Sequence, residues 1–76
     1  MTIYILLYHH NDINNDYASI EAVSTNYHEI KNKFNKIKKG LLNKDLILTE
    51  TYNNYAKFSD KHIEMLYELE IVEKSI

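Results

Sequence analysis

Two short clusters in this chain hold residue types that could do chemistry. His9, His10, Asp12 and Asp16 are types that bind zinc. Their spacing fits no zinc motif, and adjacent histidines on a strand point to opposite faces. A polar strand end running into a loop is the expectation there, with no metal site and no cofactor. Ser59-Asp60-Lys61-His62 contains the types of a hydrolytic triad. Triads are assembled by geometry rather than adjacency, and the sequence has no strained nucleophile turn or Gly-rich oxyanion loop. A single glycine leaves nothing to cradle a phosphate. The expectation is a protein that is not an enzyme.

Charge is distributed unevenly. Residues 1–30 carry four acids and no base, residues 31–44 six lysines and no acid, and residues 45–76 seven acids and three lysines. Lys31, Lys33, Lys36, Lys38, Lys39 and Lys44 form the one basic segment, and a nucleic-acid-binding helix face is the alternative reading they offer. Three features argue against it. The net charge is -2. The lysines spread around more than half of a helix. Arginine, the side chain suited to bidentate phosphate and guanine contacts, is absent.

At 76 residues the chain makes one domain with a small core, and a domain of that size buries only about 60% of its unfolded surface. There is no cysteine, so no disulfide supplements that core. The first ten residues lack a basic leader and a spanning-length apolar run, so a soluble, cytoplasmic protein without a membrane segment is expected.

The elements follow from periodicity. Residues 2–9 alternate as a central strand, with Ile3, Ile5 and Leu7 on one face and Tyr4, Leu6 and Tyr8 on the other. A polar turn at 11–16 leads to a second strand over 17–23, with Ala18, Ile20 and Ala22 facing inward. Asn26, three residues before Glu29, is placed to cap a helix. Tyr27, Ile30, Phe34, Ile37 and Leu41 then form one helical stripe, and Gly40 stands where a left-handed terminating residue belongs. Residues 45–52 read as a third strand, and 53–60 as a loop with two aromatics. The segment Met65–Val72 carries both a strand and a helix pattern. Its alternation of Met65, Tyr67, Leu69 and Ile71 against Glu64, Glu68 and Glu70 favours a strand. Together these predict an α+β fold of order β-β-α-β-β, with one amphipathic helix on one face of a small antiparallel sheet of three to four strands.

One helix can cover only one face. The other is expected to expose Tyr4, Leu6, Tyr8 and Tyr17 with Leu66, Ile47, Val72, Glu68 and Glu70. Contiguous aromatic and aliphatic exposure marks an interaction surface, and its carboxylates would repel phosphates. A protein partner or a second copy, giving a homodimer, is the expected occupant.

Ile3-Tyr4-Ile5, Val23-Ser24-Thr25 and Tyr67-Glu68-Leu69-Glu70 resemble segments of small phage and prophage proteins without an assigned function. Those open with a Val-Tyr-x-Val strand, enter a helix after Phe-Ser-Thr and end on a Tyr-Glu-Leu-Asp strand. Asn26-Tyr27-His28-Glu29 departs from their Glu-Lys-Ala-Glu, and Leu46–His62 is longer than their connection. The resemblance implies a β-β-α-β core, a phage origin and action inside a host bacterium. By association it also implies an anti-defence, anti-CRISPR-like inhibitor of a host protein or protein complex. No functional residue carries over from it.

Overall fold

The computed structural model describes residues 1–12 and 14–76. Its elements are β1 (Thr2–Asn11), β2 (Asp16–Ser24), α1 (Tyr27–Leu42), β3 (Ile47–Tyr52), β4 (Tyr55–Ser59) and β5 (Leu66–Ser75). They form an antiparallel five-stranded sheet of order β2-β1-β5-β4-β3 with α1 on one face. This is the α+β architecture that the periodicities predict. It has one strand more than expected, because residues 53–60 are not a loop. Asn53 and Asn54 turn the chain, and Tyr55–Ser59 returns as β4 between β3 and β5.

Met65–Val72 resolves as strand. β5 pairs with β1 from Leu66 to Ser75 and with β4 from Leu66 to Glu70. A helix here would forfeit both ladders. It would also scatter Tyr67, Leu69 and Ile71, which the strand puts together under α1 with Leu69 fully buried.

The register of β1 on β5 decides which face the helix takes. It sets each even-numbered residue of β1 opposite an odd-numbered residue of β5: Leu6 faces Ile71, Tyr8 faces Leu69, and Leu7 faces Glu70. Tyr4, Leu6 and Tyr8 therefore share a face with Leu69 and Ile71, and Ala56 and Phe58 of β4 extend it. That face is free of charge across its centre, so α1 packs there through Ile30, Phe34 and Leu41. The opposite face holds His9, Glu68, Glu70 and Lys57, whose desolvation under a helix would be costly.

α1 begins as expected. The Asn26 side chain accepts hydrogen bonds from the backbone N–H groups of His28 (3.0 Å) and Glu29 (3.3 Å). It ends later than Gly40 suggested. Leu41 is needed in the core, so the helix continues through Leu42 to an Asn43 C-cap, and Gly40 has no positive φ. Asp45, at φ 61°, takes the left-handed conformation instead.

Alternation along β2 is also broken. A bulge opposite Leu6/Leu7 inserts Glu21, so Ala22 faces the helix beside Leu6 while Ile20 and Ala18 turn to the other face beside Leu7 and His9.

Candidate functional site

Strand pairing places the residues of the helix-free face in rows across the sheet. One row runs Ala18, His9, Glu68, Lys57, Glu50. The next runs Ile20, Leu7, Glu70, Tyr55, Tyr52. Beyond it stand Val23, Ile5 and Val72. The face is thus split into a band of alternating charge and a largely aliphatic band. Ile20 is 63% exposed and Val23 55%, so none of the described residues covers that end of the face.

Within the charged band, Asp16, His9, Glu68 and Tyr55 are joined across four adjacent strands. His9 Nε2 lies 2.5 Å from Asp16 Oδ1, and His9 Nδ1 lies 3.2 Å from Glu68 Oε1. Tyr55 donates its hydroxyl proton to Glu68 Oε2 at 2.6 Å. Two carboxylates facing the two ring nitrogens are both satisfied only by the imidazolium, which has two donors. The hydrogen bond to Asp16, and then that to Glu68, raises the His9 pKa above its ordinary value. The Tyr55 hydroxyl and then His9 hold Glu68 low against the opposing effect of burial. Burial first, and then Glu68, pushes Tyr55 up. With both ring nitrogens engaged by carboxylates, the network fixes the orientation of the His9 ring.

Beside it lies a shallow groove of about 310 Å³ lined by Leu7, Ile20, Ala18, Tyr55, Glu68 and Glu70. Each oxygen of the Glu68 carboxylate is engaged, Oε1 by His9 and Oε2 by Tyr55. Glu70 is exposed, and among the described residues no cation lies within ion-pair distance of it.

The expected interaction residues separate. Leu66, Glu68 and Glu70 lie on the open face with Ile47 and Val72, as read from the sequence. Tyr4, Leu6, Tyr8 and Tyr17 do not, because the β1–β5 register inverts the face assigned to them. Leu6 is fully buried, and Tyr4 packs edge-on against Tyr27 with ring centroids 5.3 Å apart. Tyr8, 6.2 Å from both Tyr17 and Tyr67, joins an aromatic cluster on the helix side, where Tyr17 also stacks on His10 at 5.5 Å. Desolvation raises the Tyr8 pKa to about 12. Ile3, Ile5, Leu7, Ile20, Val23, His9 and Tyr55 occupy the face in their place. Local sequence pattern alone does not assign them to it; the registers of β1 on β2 and β5, and of β4 on β5, do.

His9 and His10 point to opposite faces, as adjacent strand residues must. His10 meets Asp12 (Nε2 to Oδ2, 2.9 Å). His10 and then the backbone N–H groups of Asn14 and Asn15 bring Asp12 down to about 2. Among the described residues no group of three or more His, Cys, Asp or Glu side chains is placed to hold a metal ion. Ser59 ends β4 almost fully buried, and Asp60 accepts backbone hydrogen bonds from Glu64 (2.8 Å) and Met65 (3.2 Å), so Ser59-Asp60-Lys61-His62 forms a turn.

Two of the six lysines are structural. Lys31 lies 4.6 Å from the Phe34 ring centroid and donates to the Asn53 carbonyl; Lys38 donates to Thr51 Oγ1 at 3.2 Å. With Tyr27, which donates to Asn54 Oδ1 at 2.5 Å, they tie the β3–β4 hairpin to the helix. Lys33, Lys36, Lys39 and Lys44 are exposed. No helix among the described residues is long and apolar enough to cross a membrane.

No family model, curated protein or solved structure matches the chain.

Proposed function

We propose that this chain is a non-catalytic binding protein whose helix-free sheet face receives another protein. The observation that carries the reading is the exposure of Ile20 and Val23 beside Leu7, Ile5 and Val72 on a face that none of the described residues covers. Sheets with one apolar face and one polar face are complete in two layers. A sheet that also carries aliphatic side chains on its outer face has surface left over for a further layer.

Inhibition of a host defence protein is the role proposed for that binding. Its support is the resemblance of Ile3-Tyr4-Ile5, Val23-Ser24-Thr25 and Tyr67-Glu68-Leu69-Glu70 to phage protein segments. The test is capture from a lysate of the encoding cell by three forms: the wild type, an Ile20→Ser/Val23→Ser double variant, and a Lys33→Glu/Lys36→Glu double variant. A protein held by the wild type and the lysine variant but lost by the face variant supports the reading. One lost only by the lysine variant contradicts it.

A further inference from the structure

Resting on the binding-face reading, we infer that the partner presents an arginine or lysine flanked by aliphatic residues, and that this cation seats on Glu70 in the groove beside Leu7 and Tyr55. Glu70 is the exposed carboxylate of an otherwise apolar and aromatic row, between Leu7 on β1 and Tyr55 on β4. Its neighbour Glu68 already accepts from His9 and Tyr55, so Glu70 is the groove carboxylate left to attract a cation. The Tyr55 ring is pinned by its 2.6 Å hydrogen bond to Glu68 and packs against Tyr52, centroids 5.9 Å apart. That fixes an aromatic surface next to the carboxylate, where a guanidinium or ammonium gains from both. Leu7 and Ile20 line the groove on its other side, suited to the aliphatic stem of the same side chain.

Other occupants fit less well. A second copy packed face to face would set Asp16, Glu50, Glu68 and Glu70 against the same four carboxylates, with His9, Lys57 and Lys74 as the cations of that face. A second copy offering the outer side of α1 would bring Lys33, Lys36 and Lys39 with Leu42, at the helix end, as the large exposed apolar residue to meet both Ile20 and Val23. Nucleic acid would bring phosphates to carboxylates. Strand addition at the β2 edge is hindered by the bulge at Glu21.

The test is a titration of ¹⁵N,¹³C-labelled protein with three capped tripeptides, Val-Arg-Val, Val-Glu-Val and Val-Leu-Val, with and without Glu70→Gln. Val-Arg-Val should shift Leu7, Ile20, Tyr55 and Glu70, and bind at least about tenfold more tightly than Val-Glu-Val. Glu70→Gln should remove that preference while leaving the fold's spectrum intact. Equal binding of all three peptides on the same residues would overturn the cationic partner and leave the binding face standing. No shift on this face with any peptide would remove both. Concentration-dependent dimerisation of the protein alone, lost in Ile20→Ser, would replace the outside partner with a second copy.

Discussion

Leu7 and Glu70 stand opposite each other on β1 and β5, on the face that α1 leaves open. Their pairing sets an aliphatic side chain beside a carboxylate that no cation of the described residues neutralises. It also requires that Leu6, one residue away, point into the core, where it is fully buried.

The two faces of β1 and β2 should therefore respond differently to truncation. Leu6→Ala removes a buried side chain and should cost about 3 kcal/mol of folding stability. Ile20→Ser, at a site 63% exposed, should change stability by no more than about 0.5 kcal/mol. Urea unfolding of the two variants measures both. A large loss in Ile20→Ser would mean that this face is covered within the folded monomer.

The His9 bridge carries a pH signature. The folded pKa of His9 is raised, by Asp16 first and Glu68 second. Its contribution to stability is therefore fully present below the unfolded value of about 6.5 and lost as pH rises through the folded value. Glu68 is shifted the opposite way, so its share is present above its unfolded value and lost as pH falls through the folded one. The urea midpoint of the wild type should exceed that of His9→Gln by more at about pH 5.5 than at about pH 9. A difference that is flat or grows with pH contradicts the bridge.

Much of the fold was legible because it rests on local patterns. The helical stripe from Tyr27 to Leu41, the Asn26 cap and the alternation in Met65–Val72 each fix an element from a few neighbouring residues. What was not legible depended on distant residues. Tyr4 and Tyr8 read as surface aromatics until the register with β5 set them beside Leu69. Ile20 changed faces because Glu21 bulges. Tyr55–Ser59 read as a loop because Asn53 and Asn54, which mark a turn, start a run too short to show its alternation. The site was read in half: Leu66, Glu68 and Glu70 follow from strand parity, whereas Leu7 and Tyr55 join them only through pairing.

Gly40 should be replaceable with gain. It lies inside α1 with ordinary φ, and a Cβ there would meet nothing within 4 Å. Gly40→Ala should raise stability by about 1 kcal/mol, seen as a higher thermal midpoint. A loss would mean that the helix ends at Gly40 after all.

Ile63 holds φ at 55° in the turn before β5 and is 73% exposed. Left-handed backbone strains a β-branched residue by about 1–3 kcal/mol. Ile63→Gly relieves that strain against a smaller entropic loss of about 0.5–1 kcal/mol. A net gain of about 1 kcal/mol is expected in urea unfolding, and a decrease would place Ile63 in a contact that matters.

The most direct measurement of the proposed binding face is a methyl spectrum of Ile-, Leu- and Val-labelled protein, recorded before and after adding the captured partner. The methyls of Leu7, Ile20, Val23 and Val72 should shift while those of Leu6, Ile30 and Leu69 hold their positions. Shifts confined to Ile37, Leu42 and other residues of α1 would contradict the account.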